Sequence, residues 1–197
     1  MANERLGIFG GTFDPPHIGH LVAAVNVRHE LGLDRVLLMV NNVPWQKAGT
    51  RTISPAEDRL AMVAAAVDDV DGLEPSRHEI DAGGMSYTAD TLAALCRDDP
   101  TRELFVILGA DAAAGLLSWE RAEEVRELAT IVAVRRPGIV DAPPLLGWRW
   151  VSVDVPGVAV SSTDLRRRVA EGRPLDYLVP PSVVACIAER GLYRRAG

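Results

Sequence analysis

Short segments rich in Val, Ile and Leu alternate with longer, partly polar segments along most of this chain. Leu6–Phe9, Arg35–Val40, Leu73–Ile80, Leu104–Leu108, Thr130–Arg135 and Trp148–Val153 have the length and apolar density of buried strands. Helices are predicted between them at Ile18–Glu30, Pro55–Val67, Ala89–Arg97 and Trp119–Leu128. The second of these opens with Ser54-Pro55-Ala56-Glu57, which reads as a capping box with proline at the first helical position. Such alternation implies parallel strands joined by right-handed crossovers, hence an α/β fold with a doubly wound parallel sheet of about six strands. After the last strand the pattern changes: Ser161–Glu171 and Pro181–Arg190 read as two C-terminal helices joined by Gly172–Pro180.

In sheets of this kind ligands bind beyond the carboxyl ends of the strands, where strand order reverses. The segments that could carry chemistry fall there. Gly10–His20 follows the first strand, Asn41–Lys47 the second, Ser86–Thr91 the third and Gly109-Ala110-Asp111 the fourth, while Arg135-Arg136 closes the fifth.

Composition narrows the class. A chain of 197 residues, 48% hydrophobic and 24% charged, suits one globular domain over 1–197. A net charge of −6 argues against a nucleic-acid binder, which would carry a basic face. Cys96 and Cys186 have no metal-like spacing and read as reduced thiols of a cytoplasmic protein. MANERLGIFG lacks the pattern of a signal peptide, and the longest clear apolar run, Leu60–Val67, falls far short of the ~20 residues that span a bilayer, so no membrane partner is expected. Pro137–Gly147 reads as a surface connection.

The densest chemistry lies in Gly7–His20, GIFGGTFDPPHIGH. Gly10-Gly11 lets backbone approach a ligand with no Cβ in the way, and Asp14-Pro15-Pro16 ends the turn before a helix that starts near His17. The first N–H groups of that helix have no internal partner and the macrodipole adds positive charge there, which makes an anion site. His17 and His20, three apart, share a helix face. By itself the pair suits a polar cap equally well. Zinc would need further ligands; His29 and His78 are the other histidines and no HExxH is present. Val160–Arg166 offers a second helix N-terminus, with Ser162 as N-cap, Thr163 and Asp164 in the first turn and Arg166 over the face of Ser162. Arg167 and Arg168 read as solvated, the latter in an exposed pair with Asp164. A loop lysine such as Lys47 is ordinarily just solvated, and Trp119 suits core, staple or ligand platform alike.

GGTFDPPHIGH, Gly10 to His20, resembles the signature of nucleotidyltransferases with an HxGH motif. Ser86–Leu92, Gly109-Ala110-Asp111 with Ser118-Trp119, and Val160–Arg166 follow in the order seen in bacterial nicotinate-nucleotide adenylyltransferases, and Tyr177–Pro180 and Gly191–Tyr193 resemble that family's C-terminus. The similarity spans essentially the whole chain. It implies a Rossmann-like fold and adenylyl transfer from ATP to nicotinate mononucleotide in NAD biosynthesis, with Mg²⁺ accompanying ATP and no dedicated protein metal site. The resemblance gives phosphate-handling roles to His17, His20, Lys47 and Arg166. ATP falls to these histidines and Arg166 with Gly10, Gly11, Thr12, Phe13, Gly109, Asp111 (a ribose hydroxyl), Ser161, Ser162 and Thr163. Nicotinate mononucleotide falls to Asn41, Lys47, Thr88, Ala89, Trp119 (stacked on the ring), Glu120 and Arg135, with the ring carboxylate read by backbone N–H groups near Ala89 and Glu120. Tyr87 and Trp45, Trp148 and Trp150 are assigned to packing. The partners implied are small molecules, and a homo-oligomer is compatible with this reading.

HIGH is also the motif of class I aminoacyl-tRNA synthetases, but those need a lysine-rich second signature, a longer chain and a tRNA-binding surface. A pantetheine-phosphate adenylyltransferase is the nearer rival, and Ser86–Leu92 with Ser118-Trp119 favours the pyridine nucleotide. A non-enzymatic nucleotide sensor should have lost a phosphate contact, whereas His17, His20 and Arg166 all remain.

Overall fold

The computed structural model describes residues 3–43, 53–138 and 143–194. Six strands, β1 (Arg5–Gly11), β2 (Arg35–Val40), β3 (Leu73–Ser76), β4 (Glu103–Gly109), β5 (Ala129–Arg135) and β6 (Trp150–Asp154), form one sheet in the order 3-2-1-4-5-6. Every pairing is parallel. Strand order reverses between β1 and β4, which places the ligand crevice at the ends of those two strands.

Because a parallel sheet is covered on both faces, its strands are apolar at successive positions. In β2, Val36, Leu38 and Val40 enter one core while Leu37 and Met39 enter the other. Helices α1 (Ile18–Leu31), α2 (Ala56–Val67), α7 (Ser162–Ala170) and α8 (Pro181–Glu189) cover the first face. The second is covered by α4 (Thr88–Asp98), α5 (Ala110–Ala114) and α6 (Ala122–Leu128). The free thiols Cys96 and Cys186 lie against opposite cores. Trp148 and Trp150 pack on the second core. No helix among the described residues is long and apolar enough to cross a membrane.

Several predicted boundaries move. β3 stops at Ser76, and the rest of the expected strand forms a short helix, α3 (His78–Ala82). α2 begins at Ala56 with Pro55 in the cap position, so the expected Ser54 capping box is not formed. α6 begins at Ala122 rather than Trp119, because Arg121 adopts a left-handed conformation (φ 54°) that interrupts the helix. Trp119 follows a single 3₁₀ turn, Leu116–Ser118.

Candidate active site

The loop after β1 is shaped by its own side chains. A Cβ on Gly11 would come within 2.8 Å of the Phe13 ring, so only glycine fits beneath it, whereas a Cβ on Gly10 would meet nothing within 4 Å and would project into open space. Phe13, with φ 49°, packs edge-on against Phe9 and His20, its ring centroid 5.0 Å from the His20 imidazole. Asp14-Pro15 is cis and leads into α1. His17 is the N-cap of α1; its backbone N–H donates to Nδ1 of His20 at 3.2 Å. In neutral His20 the ring proton therefore sits on Nε2, leaving that nitrogen as a donor. The two imidazoles stack with centroids 3.7 Å apart. His17 is buried, and its Nδ1 meets no hydrogen-bond partner among the described residues. Burial first, and the charge of Arg136 second, push its pKa down to about 4. His17 is thus a neutral imidazole at physiological pH.

Two cavities open at the strand ends. The larger, about 450 Å³, is bounded by Gly10 to Asp14, His20, Gly109 to Ala112, Arg136, Ser162, Thr163 and Arg166. Arg166 is held in two directions: Nη1 donates to the Asp14 carbonyl at 2.7 Å and Nη2 to the Thr163 hydroxyl at 3.1 Å. Ser162 donates to the Pro15 carbonyl at 2.8 Å, which ties α7 to the turn before α1. The cap of α7 is Ser161, whose hydroxyl accepts from the Asp164 N–H, so the expected Ser162 cap is offset by one residue. Arg168 first, and Arg167 after it, pair with Asp164 and hold its carboxyl below the usual range.

The smaller cavity, about 230 Å³, shares Gly10, Gly11, Thr12 and Ala112 with the first. Asn41, Glu79, Tyr87, Thr88, Trp119 and Glu120 face it. Thr88 opens α4 and Ala89 is fully buried, so Ala89 can contribute only its backbone N–H, one of the helix's unpaired first donors. An exposed ion pair, Asp90 to Arg121 at 2.7 Å, links α4 to the turn that carries Trp119 and Glu120. The Asn41 amide donates to the Glu79 carboxylate at 2.8 Å, and the Thr91 hydroxyl does so at 2.9 Å.

Of the expected site residues, Gly10, Gly11, Thr12, Phe13, His20, Gly109, Asp111, Ser162, Thr163 and Arg166 border the larger cavity; Gly10, Gly11 and Thr12 also border the smaller one, with Asn41, Thr88, Trp119 and Glu120. His17 lies beneath His20 and Ser161 serves as a cap. Lys47 and Trp45 lie outside the described residues. Arg135 pairs with Asp154 of β6 at 2.6 Å and is not among the residues bordering either cavity. The next residue, Arg136, leaves the strand and reaches the larger one. Glu79, Ser86, Tyr87 and Thr91 also border the smaller cavity. Glu79 was hidden because its segment reads as strand, whereas α3 turns it inward.

Comparison with known proteins supplies independent findings. The Cytidylyltransferase-like family profile matches residues 8–168. A protein of Saccharopolyspora erythraea named "Probable nicotinate-nucleotide adenylyltransferase" is 48% identical over 97% of this chain and 90% of its own length. A Corynebacterium kroppenstedtii protein of the same name is 48% identical over 98% and 92%. Among solved structures, the Plasmodium falciparum nicotinic acid mononucleotide adenylyltransferase complexed with NaAD superposes with a TM-score of 0.78 over 97% of this chain and 98% of that one; at 16% identity the likeness is one of fold.

Proposed function

The chain belongs to the nicotinate-nucleotide adenylyltransferases, and we propose that its two joined cavities are the two substrate subsites of that reaction, ATP in the larger and nicotinate mononucleotide in the smaller. The enzyme transfers the adenylyl group of ATP to nicotinate mononucleotide, giving nicotinate adenine dinucleotide and pyrophosphate. The observation that carries the assignment is the wall common to both cavities, Gly10-Gly11-Thr12. A nucleotide in each would bring its phosphate to the same bare strip of backbone, which is where a phosphate oxygen must meet the α-phosphorus of ATP.

The nucleophile is a phosphate monoester, largely ionised at pH 7 because its second pKa is about 6, so no general base is required. The chemistry reduces to aligning two polyanions and stabilising charge on the departing pyrophosphate. His20 would donate from Nε2, and Arg166 and Arg136 would supply fixed positive charge, with Lys47 added from its loop. Neutral His17 would set the plane and tautomer of His20 through the stack and the backbone hydrogen bond. The N-terminus of α7, where Ser162 and Thr163 border the larger cavity, would add oriented N–H groups. Among the described residues no group of three or more His, Cys, Asp or Glu could hold a metal ion. Mg²⁺ accompanying ATP would be held chiefly by phosphate oxygens and water and would supply charge neutralisation there.

Trp119 offers a ring face in the smaller cavity, and the first N–H groups of α4 would take the ring carboxylate. The test is pyrophosphate release from ATP and Mg²⁺ with nicotinate mononucleotide, nicotinamide mononucleotide and phosphopantetheine side by side. Strong preference for the first is expected. Activity with phosphopantetheine alone would overturn the subsite assignment.

A further inference from the structure

Glu79 stands out in the smaller cavity. The residue is only 7% exposed, and it lines the space also lined by Trp119, Thr88 and Asn41. A carboxylate is expensive to bury unless its charge is answered. Its two hydrogen-bond donors, the Asn41 amide and the Thr91 hydroxyl, are neutral groups. Glu120 adds a second acidic side chain to this cavity, and no Lys, Arg or His lines it among the described residues. The negative charge thus has hydrogen bonds but no countercharge within the described wall, in a pocket that must admit a nucleotide already carrying negative groups.

A pyridine mononucleotide resolves the conflict. Its ring nitrogen, bonded to the ribose, carries a fixed positive charge. The anionic ends of the molecule lie elsewhere: a ring carboxylate would be read by the N–H groups opening α4, and the 5′-phosphate would reach the glycine strip shared with the larger cavity. We propose that Glu79 is a specificity-determining residue that recognises the cationic pyridinium through its buried carboxylate. Asn41 and Thr91 hold that carboxylate in place without neutralising it. The same charge penalises a neutral ring in this position, so the site selects oxidised pyridine nucleotides over their reduced, uncharged counterparts. Selection between nicotinate and nicotinamide falls to the other end of the ring, since both carry the same ring charge. This inference rests on the assignment of the smaller cavity to the pyridine nucleotide.

The test compares nicotinate mononucleotide with its 1,4-dihydropyridine form, which has the same substituents and a neutral ring, in wild type, Glu79→Gln and Glu79→Asp. Pyrophosphate release gives KM for each, and quenching of tryptophan fluorescence gives Kd. Wild type should bind the pyridinium form about tenfold more tightly than the dihydro form, an effect of the size that one nearby charge exerts on a desolvated partner. Glu79→Gln should raise KM for the pyridinium substrate about tenfold, leave the dihydro form within twofold and leave KM for ATP unchanged, while Glu79→Asp should restore the preference. Equal losses for both forms in Glu79→Gln would make Glu79 a wall residue only and overturn the proposal, as would a wild type indifferent to ring charge. A wild type active on phosphopantetheine and inert toward nicotinate mononucleotide would overturn the subsite assignment along with it.

Discussion

His17 carries the clearest pH signature among the site residues. Its pKa is about 4 in the folded chain and about 6.5 when unfolded, because burial disfavours the imidazolium and Arg136 adds to the effect. A depressed histidine pKa means that the unfolded chain binds more protons between those values, so stability falls as pH drops from about 6.5 to 4. At full displacement the contribution is about 3 kcal/mol. Urea unfolding from pH 7.5 to 4.5 should show this loss in the native protein, and His17→Gln should flatten that part of the curve. An identical slope in both would mean that His17 is not the neutral buried group described. At this scale the sequence was legible where a motif fixes the backbone and silent where one residue of phase decides the outcome. GGTFDPPHIGH placed the glycines and His20 at the cavity. Adjacent residues of a strand point to opposite faces, and the chain alone could not say which arginine of Arg135-Arg136 would be drawn to Asp154 and which left to the cavity.

The element that ties the loops together is α2. Arg59, inside this helix and 1% exposed, donates from Nε to the Ser54 carbonyl at 2.9 Å, from Nη1 to Thr12 at 2.9 Å and from Nη2 to Asn42 at 3.0 Å. One planar guanidinium thus braces the loop after β1, the loop after β2 and the approach to its own helix. A lysine has no such fork. Arg59→Lys should leave at least one carbonyl unpaired, costing about 2–3 kcal/mol, or roughly 5–10 °C in Tm for a chain of this size. Because Thr12 belongs to the wall between the two cavities, KM should rise for both substrates together. A Tm within 2 °C of wild type, with KM for both unchanged, would remove Arg59 from this role. The alternation of strands and helices was readable because the two-faced sheet imposes it on the apolar pattern. The turn of β3 into α3 was not: Ser76 to Ile80 carry no Gly or Pro stop, and the helix is only five residues long. Caps slipped by one residue at both serines, since Ser54 and Ser161–Ser162 offer hydroxyls whose register depends on where the preceding chain comes from.

At the scale of the whole molecule the C-terminal segment returns to the first loop. Tyr193, near the end of the described chain, donates its hydroxyl to the Asp14 carboxylate at 2.7 Å, across 179 positions of sequence. Burial first and the Asp14 charge second push the phenol far above its ordinary range, so it remains a protonated donor at any working pH. The Asp14 carbonyl in turn accepts from Arg166, so Tyr193, Asp14 and Arg166 run as one chain of contacts from the C-terminal helices to the larger cavity. Through it, a protein with a net charge of −6 holds one of its cations where a triphosphate would lie. Tyr193→Phe keeps the ring packing and removes only the hydroxyl. It should cost about 1–2 kcal/mol, roughly 2–8 °C in Tm, and raise KM for ATP several-fold with KM for nicotinate mononucleotide little changed. Tyr177→Phe, at a residue 95% exposed, should move neither quantity and serves as the control. If Tyr193→Phe lowered Tm with both KM values intact, the C-terminal segment would brace the fold alone and the path from Tyr193 to Arg166 would carry nothing to the site.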